Sequence, residues 1–199
     1  MKKFLILLLS LTIAAFVTLS FARFTMEEEL DIYDKTLRLH IPANSDSDID
    51  QNVKLKVRDE ILKLLEKPLA SCTTRDEAAE IVQNMTKEIE VTANNVLKEN
   101  GLEYSATAKL TTEYYPEKTY GDITLPAGTY RSLKIELGKA DGHNWWCMLF
   151  PQVCVGTAIP SEKLAEVGFT ANQIRVLTEH EDYEYVVKFK LLEILDSLF

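Results

Sequence analysis

The chain has 199 residues, 22 of them basic and 31 acidic, for a net charge of −9. That balance works against binding nucleic-acid phosphates or anionic lipid heads, and it leaves the fold open. The length suits one folded domain behind a leader, a domain able to bury roughly 70% of its extended-chain surface.

Met1-Lys2-Lys3 is a short positive segment, and from Phe4 to Phe21 there is no charge. Ser20-Phe21-Ala22 offers small residues where a signal peptidase reads them, so cleavage is expected after Ala22. Left uncleaved, the same apolar run is just long enough to anchor the chain in a bilayer. Lys2 and Lys3 keep the amino end cytoplasmic either way, which puts residues from Arg23 onward outside. Removing residues 1–22 takes two lysines and no acid, leaving a mature charge of about −11.

After a polar stretch, Leu37, Leu39 and Ile41 alternate with Arg38 and His40, which predicts a strand with one buried face ending at Pro42. The turn residues Asn44 to Asp48 follow. Ile49, Val53, Val57, Ile61 and Leu65 then recur every four residues and predict an amphipathic helix stopped by Pro68. Asp46, Asp48 and Asp50 suit its amino end and Lys63 and Lys67 its carboxyl end. Thr74-Arg75-Asp76-Glu77 is a capping box, opening a second helix whose stripe is Ala78, Val82, Met85, Ile89 and Val96 and whose stop is Asn100-Gly101.

Next, Tyr104, Ala106, Ala108, Leu110, Thr112 and Tyr114 alternate with polar residues, the pattern of a half-buried strand. A loop with Gly121 and Pro126-Ala127-Gly128 leads to a strand with Leu133, Ile135 and Leu137 on one face and Tyr130, Ser132, Lys134 and Glu136 on the other. Gly138 to Gly142 turn the chain into Asn144-Trp145-Trp146-Cys147. Pro160-Ser161 predicts a short helix ending at Gly168, and roughly 183–199 reads as a helix with a broad apolar face, a core or dimer helix in preference to a membrane-surface one. The expected fold is α+β: a mostly antiparallel sheet with helices packed on one face, preceded by the N-terminal signal helix.

Chemical motifs are scarce. An EF-hand loop from Asp46 would need Gly at Gln51 and Glu at Val57, so Asp46, Asp48 and Asp50 read as helix caps. His40, His143 and His180 share no ligand spacing and read as surface residues. No nucleophile elbow, zinc-protease motif or phosphate loop occurs. No catalytic, cofactor or metal residue is therefore assigned, and the protein is not expected to be an enzyme. Cys147 and Cys154 flank a compact loop as a natural disulfide pair, with two buried thiols as the alternative and Cys72 as the spare. Adjacent residues of a strand face opposite ways, so one of Trp145 and Trp146 should lie nearer the surface.

Several of these segments resemble the stage II sporulation protein R family. Leu37-Arg38-Leu39-His40, Ala43-Asn44-Ser45-Asp46, Asp50-Gln51 and Lys54 to Asp59 resemble its amino-terminal signature. Pro126 to Leu133, and Asn144-Trp145-Trp146-Cys147 through Phe150-Pro151 and Cys154, resemble its second. Pro42 departs from the pattern, and the segment after Val155 is left unassigned.

The resemblance implies a forespore protein, exported into the space between forespore and mother cell. There it activates a membrane-embedded aspartic protease that processes the sigma-E precursor. The partner is then that protease, with no nucleic acid or small-molecule substrate, and membrane contact only through residues 1–22 if uncleaved. On this basis residues 1–22 are leader or anchor, 23–155 the family-like domain and 156–199 a C-terminal extension. Asn144, Trp145 and Trp146 are the expected partner contacts. Asn44, Asp46 and Arg58 are expected to organise the strand-to-helix corner. The rival reading is an exported cell-wall hydrolase of the sporulation septum.

Overall fold

The computed structural model describes residues 2–151 and 161–178. The first helix, α1 (Lys2–Lys35), holds an apolar span over Lys2–Ser20 and continues through the polar stretch that follows. Its last turns dock on the domain. Ile32 is buried, the Tyr33 hydroxyl donates to the Ala127 carbonyl at 3.0 Å, and Asp34 pairs with Arg75 at 2.8 Å.

Strand β1 (Leu37–Pro42) leads into α2 (Asp48–Leu69) and α3 (Arg75–Glu99). Ser47 caps α2 by accepting from the Asp50 amide, and Thr74 and Glu77 form the reciprocal capping box of α3. Two details of α2 differ from the periodic expectation. Pro68 lies inside its last turn, because the helix runs on to Leu69, and Ile49, expected on the buried stripe, is 64% exposed.

Strand β2 (Ala106–Tyr115), a small hairpin of β3 (Lys118–Tyr120) and β4 (Ile123–Leu125), strand β5 (Gly128–Leu137) and strand β6 (Asn144–Phe150) complete the β structure. The main sheet has the order β2-β5-β1-β6. β5 pairs antiparallel with β2 and parallel with β1, and β1 pairs antiparallel with β6. The sheet is thus mixed, with antiparallel pairings in the majority. Two short helices follow, α4 (Ser161–Glu166) and α5 (Ala171–Thr178). The apolar segment at roughly 183–199 lies outside the described residues.

Helices α2 and α3 cover one sheet face. Leu37, Leu39, Ile41, Leu133, Ile135 and Leu137 meet Val57, Ile61, Leu65, Val82 and Ile89 in the main core. A bulge between Leu37 and Arg38 lets both Leu149 and Phe150 of β6 join that core. Each fully buried side chain of this kind is worth roughly 1.5–3 kcal/mol.

The opposite face is also covered at one end. Ile32, Ile123, Leu125, Met148, Leu164, Phe169 and Leu177 form a second cluster there, contributed by α1, the hairpin, β6, α4 and α5. Strand β1 is consequently buried on both faces, where the sequence pattern implied one. At the far end of β2 burial switches sides. Tyr114 is 70% exposed and Tyr115 is buried, since the hairpin side of the sheet is packed there.

Candidate functional site

Consecutive strand residues point to opposite faces, so Arg38 and His40 of β1 share the face away from α2 and α3 with Ser132 and Lys134 of β5 and Trp146 and Met148 of β6. His40 is 9% exposed, which corrects the surface placement expected from its polar neighbours. The covering elements and the flanking strands β5 and β6 bury it. Its Nδ1 lies 3.1 Å from Glu113 Oε2 and its Nε2 lies 2.9 Å from Asn144 Oδ1, so both ring nitrogens are engaged and the ring is fixed. Trp146 packs beside it with ring centres 5.8 Å apart.

Glu113 continues the network toward Lys134 at 3.8 Å, and Lys134 reaches Glu136 at 3.1 Å. Burial pushes the Glu113 carboxyl up, but the hydrogen bond and charge of His40, with Ser132 and Lys134, outweigh it and hold it below the usual range. The Lys109 ammonium, with Lys134, draws Glu136 down against a smaller effect of burial. Asn144 is exposed and Trp146, Lys134 and Glu136 are half-buried. This half of the face is therefore an accessible polar and aromatic patch on a rigid support.

The other half is closed around Arg38, which is fully buried. Its guanidinium lies 4.3 Å from the ring centre of Tyr115 and 4.8 Å from that of Tyr130. Nε donates to the Cys147 carbonyl at 3.1 Å and Nη2 to the Tyr120 hydroxyl at 2.8 Å. Tyrosine faces stabilise the cation where no water reaches it. Burial raises the Tyr115, Tyr120 and Tyr130 hydroxyls, keeping them neutral hydrogen-bond groups.

A second polar construction sits at the corner between β1 and α2. Asp50 is buried and accepts from Asn44 Nδ2 at 2.8 Å, Ser45 Oγ at 2.5 Å and the Tyr104 hydroxyl at 2.5 Å. Burial pushes its carboxyl up, yet the hydrogen bonds from Ser45, Tyr104, Asn44 and Ser47 together hold it below the ordinary value. Asn44 Oδ1 accepts from the Lys139 amide at 3.0 Å, and Asp46 Oδ1 accepts from the His143 amide at 2.6 Å. Lys54 Nζ donates to the His143 carbonyl at 2.9 Å. Asn44 and Asp46 thus tie this corner to the turn that sets the start of β6.

Arg58 stands apart from that corner. It lies farther along α2, pairs with Asp59 at 2.6 Å and stacks over Trp145, 4.3 Å from the ring centre. The three expected contact residues divide accordingly. Asn144 and Trp146 belong to the open patch with His40, whereas Trp145 belongs to the helix face. Cys147 is buried and disulfide-bonded, and Cys72 is free and buried. Cys154 lies outside the described residues. Among the described residues no group of three His, Cys, Asp or Glu side chains is placed to hold a metal ion.

The family model for stage II sporulation protein R matches residues 33–159. The chain is also 34% identical over 151 residues to the stage II sporulation protein R of Bacillus subtilis (strain 168), an alignment covering 76% of this chain and 67% of that one. This chain belongs to the stage II sporulation protein R family. No solved structure matches it. The match begins at Tyr33, in the last turns of α1, and takes in β1, the Asn44–Asp50 corner and β6, so the open patch and its buttress are both family-matched sequence. Membership makes the protein a sporulation protein, and its apolar N-terminal helix is consistent with a signal sequence.

Sequence reasoning passed over His40, Glu113, Arg38 and the tyrosines as a group. Their signal was present in part, since Arg38 and His40 stand inside the first signature segment. Glu113, Tyr115 and Tyr130 are brought to them only by strand pairing.

Proposed function

We propose that this protein is an exported intercellular signal of sporulation. It acts between forespore and mother cell, where it contacts the extracytoplasmic side of a membrane-embedded aspartic protease and switches on processing of the sigma-E precursor. Family membership over residues 33–159 carries the reading. The N-terminal apolar helix, consistent with a signal sequence, supports the export that such a role needs. On this reading the protein performs no bond chemistry and takes no cofactor.

The contact surface on this proposal is the open patch of Glu113, Lys134, Asn144 and Trp146, held in place from beneath by the buried His40. A half-buried tryptophan beside fixed polar groups is the composition of an interface anchor. The Asn44–Asp50 corner contributes by holding the start of β6 in place.

The experiment is precursor processing in a non-sporulating host that makes the sigma-E precursor and its membrane protease, with and without this chain exported. Processing that depends on export is the expected result. No processing, with stable exported chain and a protease shown to be active, would overturn the proposal.

A further inference from the structure

Strand β2 is an edge strand, and its outer row of main-chain groups is treated differently at its two ends. The side chain of Asn94 on α3 accepts from the Ala106 amide and donates to the Ala106 carbonyl, both at 2.9 Å. Glu90 Oε2 accepts from the Ala108 amide at 3.4 Å. These contacts show that the even-numbered residues of β2 turn their N–H and C=O away from β5, and the register with β5 runs without a bulge to Tyr115. Leu110, Thr112 and Tyr114 therefore point the same groups outward. Among the described residues their amides and carbonyls meet no partner. An open row of this kind is a template for another strand.

The free segment is self-complementary. We infer that it pairs antiparallel with the same segment of a second copy, about a two-fold axis at Thr112, making one continuous sheet across two molecules. In that register Leu110 faces Tyr114 of the second copy and Thr112 faces Thr112. The pairing engages every free main-chain group of the three residues and leaves the Asn94 and Glu90 contacts intact.

Side chains agree on both faces. The two Leu110–Tyr114 pairs cover the 70% exposed Tyr114 ring, an aliphatic–aromatic match across strands. On the other face Thr111 meets Glu113, whose diagonal neighbours in the second copy are Lys109 on one side and Glu113 on the other, so an attraction and a repulsion stand at equal reach there. No like charges stand directly opposite one another. The acidic net charge opposes association at long range, so the dimer should tighten as salt rises.

Two substitutions of the full chain test this, with thermal melting as a check on folding. Thr112→Pro removes an outward N–H that β5 does not use, so the fold survives, as prolines are accepted at edges of this kind. Its dimer dissociation constant, measured by light scattering in detergent, should rise ten-fold or more. Thr112→Cys should give a disulfide-linked dimer under mild oxidation, since facing residues of such a pair lie about 5.5 Å apart. Lys87→Cys, exposed on α3, should give none.

A chain that stays monomeric at tens of micromolar, or a dimer untouched by Thr112→Pro, overturns the inference. A folded monomer whose signalling is lost on Thr112→Pro also overturns it, and assigns the edge to a strand from a different protein.

Discussion

Arg58 of α2 holds its guanidinium 4.3 Å from the ring centre of Trp145 on β6, with the Trp145 side chain packed against the helix-side core. Its neighbour Trp146 stands on the opposite face of the same strand, beside His40. Two adjacent tryptophans thus have separate duties, one joining helix to sheet and the other facing outward from the open patch.

Their substitutions should separate accordingly. Trp145→Ala is expected to cost about 3 kcal/mol, as for a large aromatic removed from a packed core. Arg58→Ala should cost about 1 kcal/mol through loss of the stacked cation. Trp146→Ala should retain most of the stability and lose precursor processing. Urea unfolding of each variant beside the processing assay checks this. Full processing by a folded Trp146→Ala protein would remove Trp146 from the contact.

His40 and Glu113 supply the test of the patch itself. His40→Ala leaves Glu113 and Asn144 without their shared partner, so their side chains should lose their fixed positions. Processing should fall at least ten-fold with the fold retained. Glu113→Gln keeps the shape and a hydrogen-bond acceptor and should fall less. Equal and complete activity in both variants would place the contact elsewhere on the molecule.

Asp50 gives an acid-side stability dependence. Its carboxyl is held below the usual value near 3.9, so its contribution is fully present above that pH. It is lost as pH falls through the lower folded-state value. The urea midpoint of the unmodified chain should fall progressively as the pH drops below about 4. Asp50→Asn should be less stable at neutral pH by about 2–3 kcal/mol, from Ser45 and Tyr104 donors left poorly matched, and should show a flatter acid profile. Parallel profiles for the two proteins would show that Asp50 does not set this dependence.

The turn between β5 and β6 has little room. A Cβ on Gly142 would collide with the Ser45 main chain, and one on Gly138, at φ +57°, with the Asn44 side chain. Both substitutions to Ala should destabilise, Gly142→Ala the more strongly at about 2–3 kcal/mol, because backbone cannot step aside as a side chain can. Loss of corner geometry should also reduce processing, read against the melting temperature.

The local elements were legible in the chain itself. Four-residue apolar spacing marked α2 and α3, the Thr74–Glu77 box marked the start of α3, and an uncharged run behind two lysines marked the N-terminal helix. The signature segments around Leu37–Asp59 and Asn144–Pro151 pointed to the family. These signals survive in sequence because capping, periodicity and short motifs act between residues a few positions apart.

Placement was decided by tertiary structure. A period of two says which residues of β1 share a face, but not that β5, β6, the hairpin and α1 would bury His40 and Arg38 on the face that looked solvent-directed. The parallel pairing of β1 with β5 joins segments that share no local code. So does the meeting of Glu113 with His40, and the alternation that set Trp145 and Trp146 on opposite faces did not say which of them would look outward. Long-range pairing sets these positions, because burial depends on what packs against a strand as well as on the strand's own pattern.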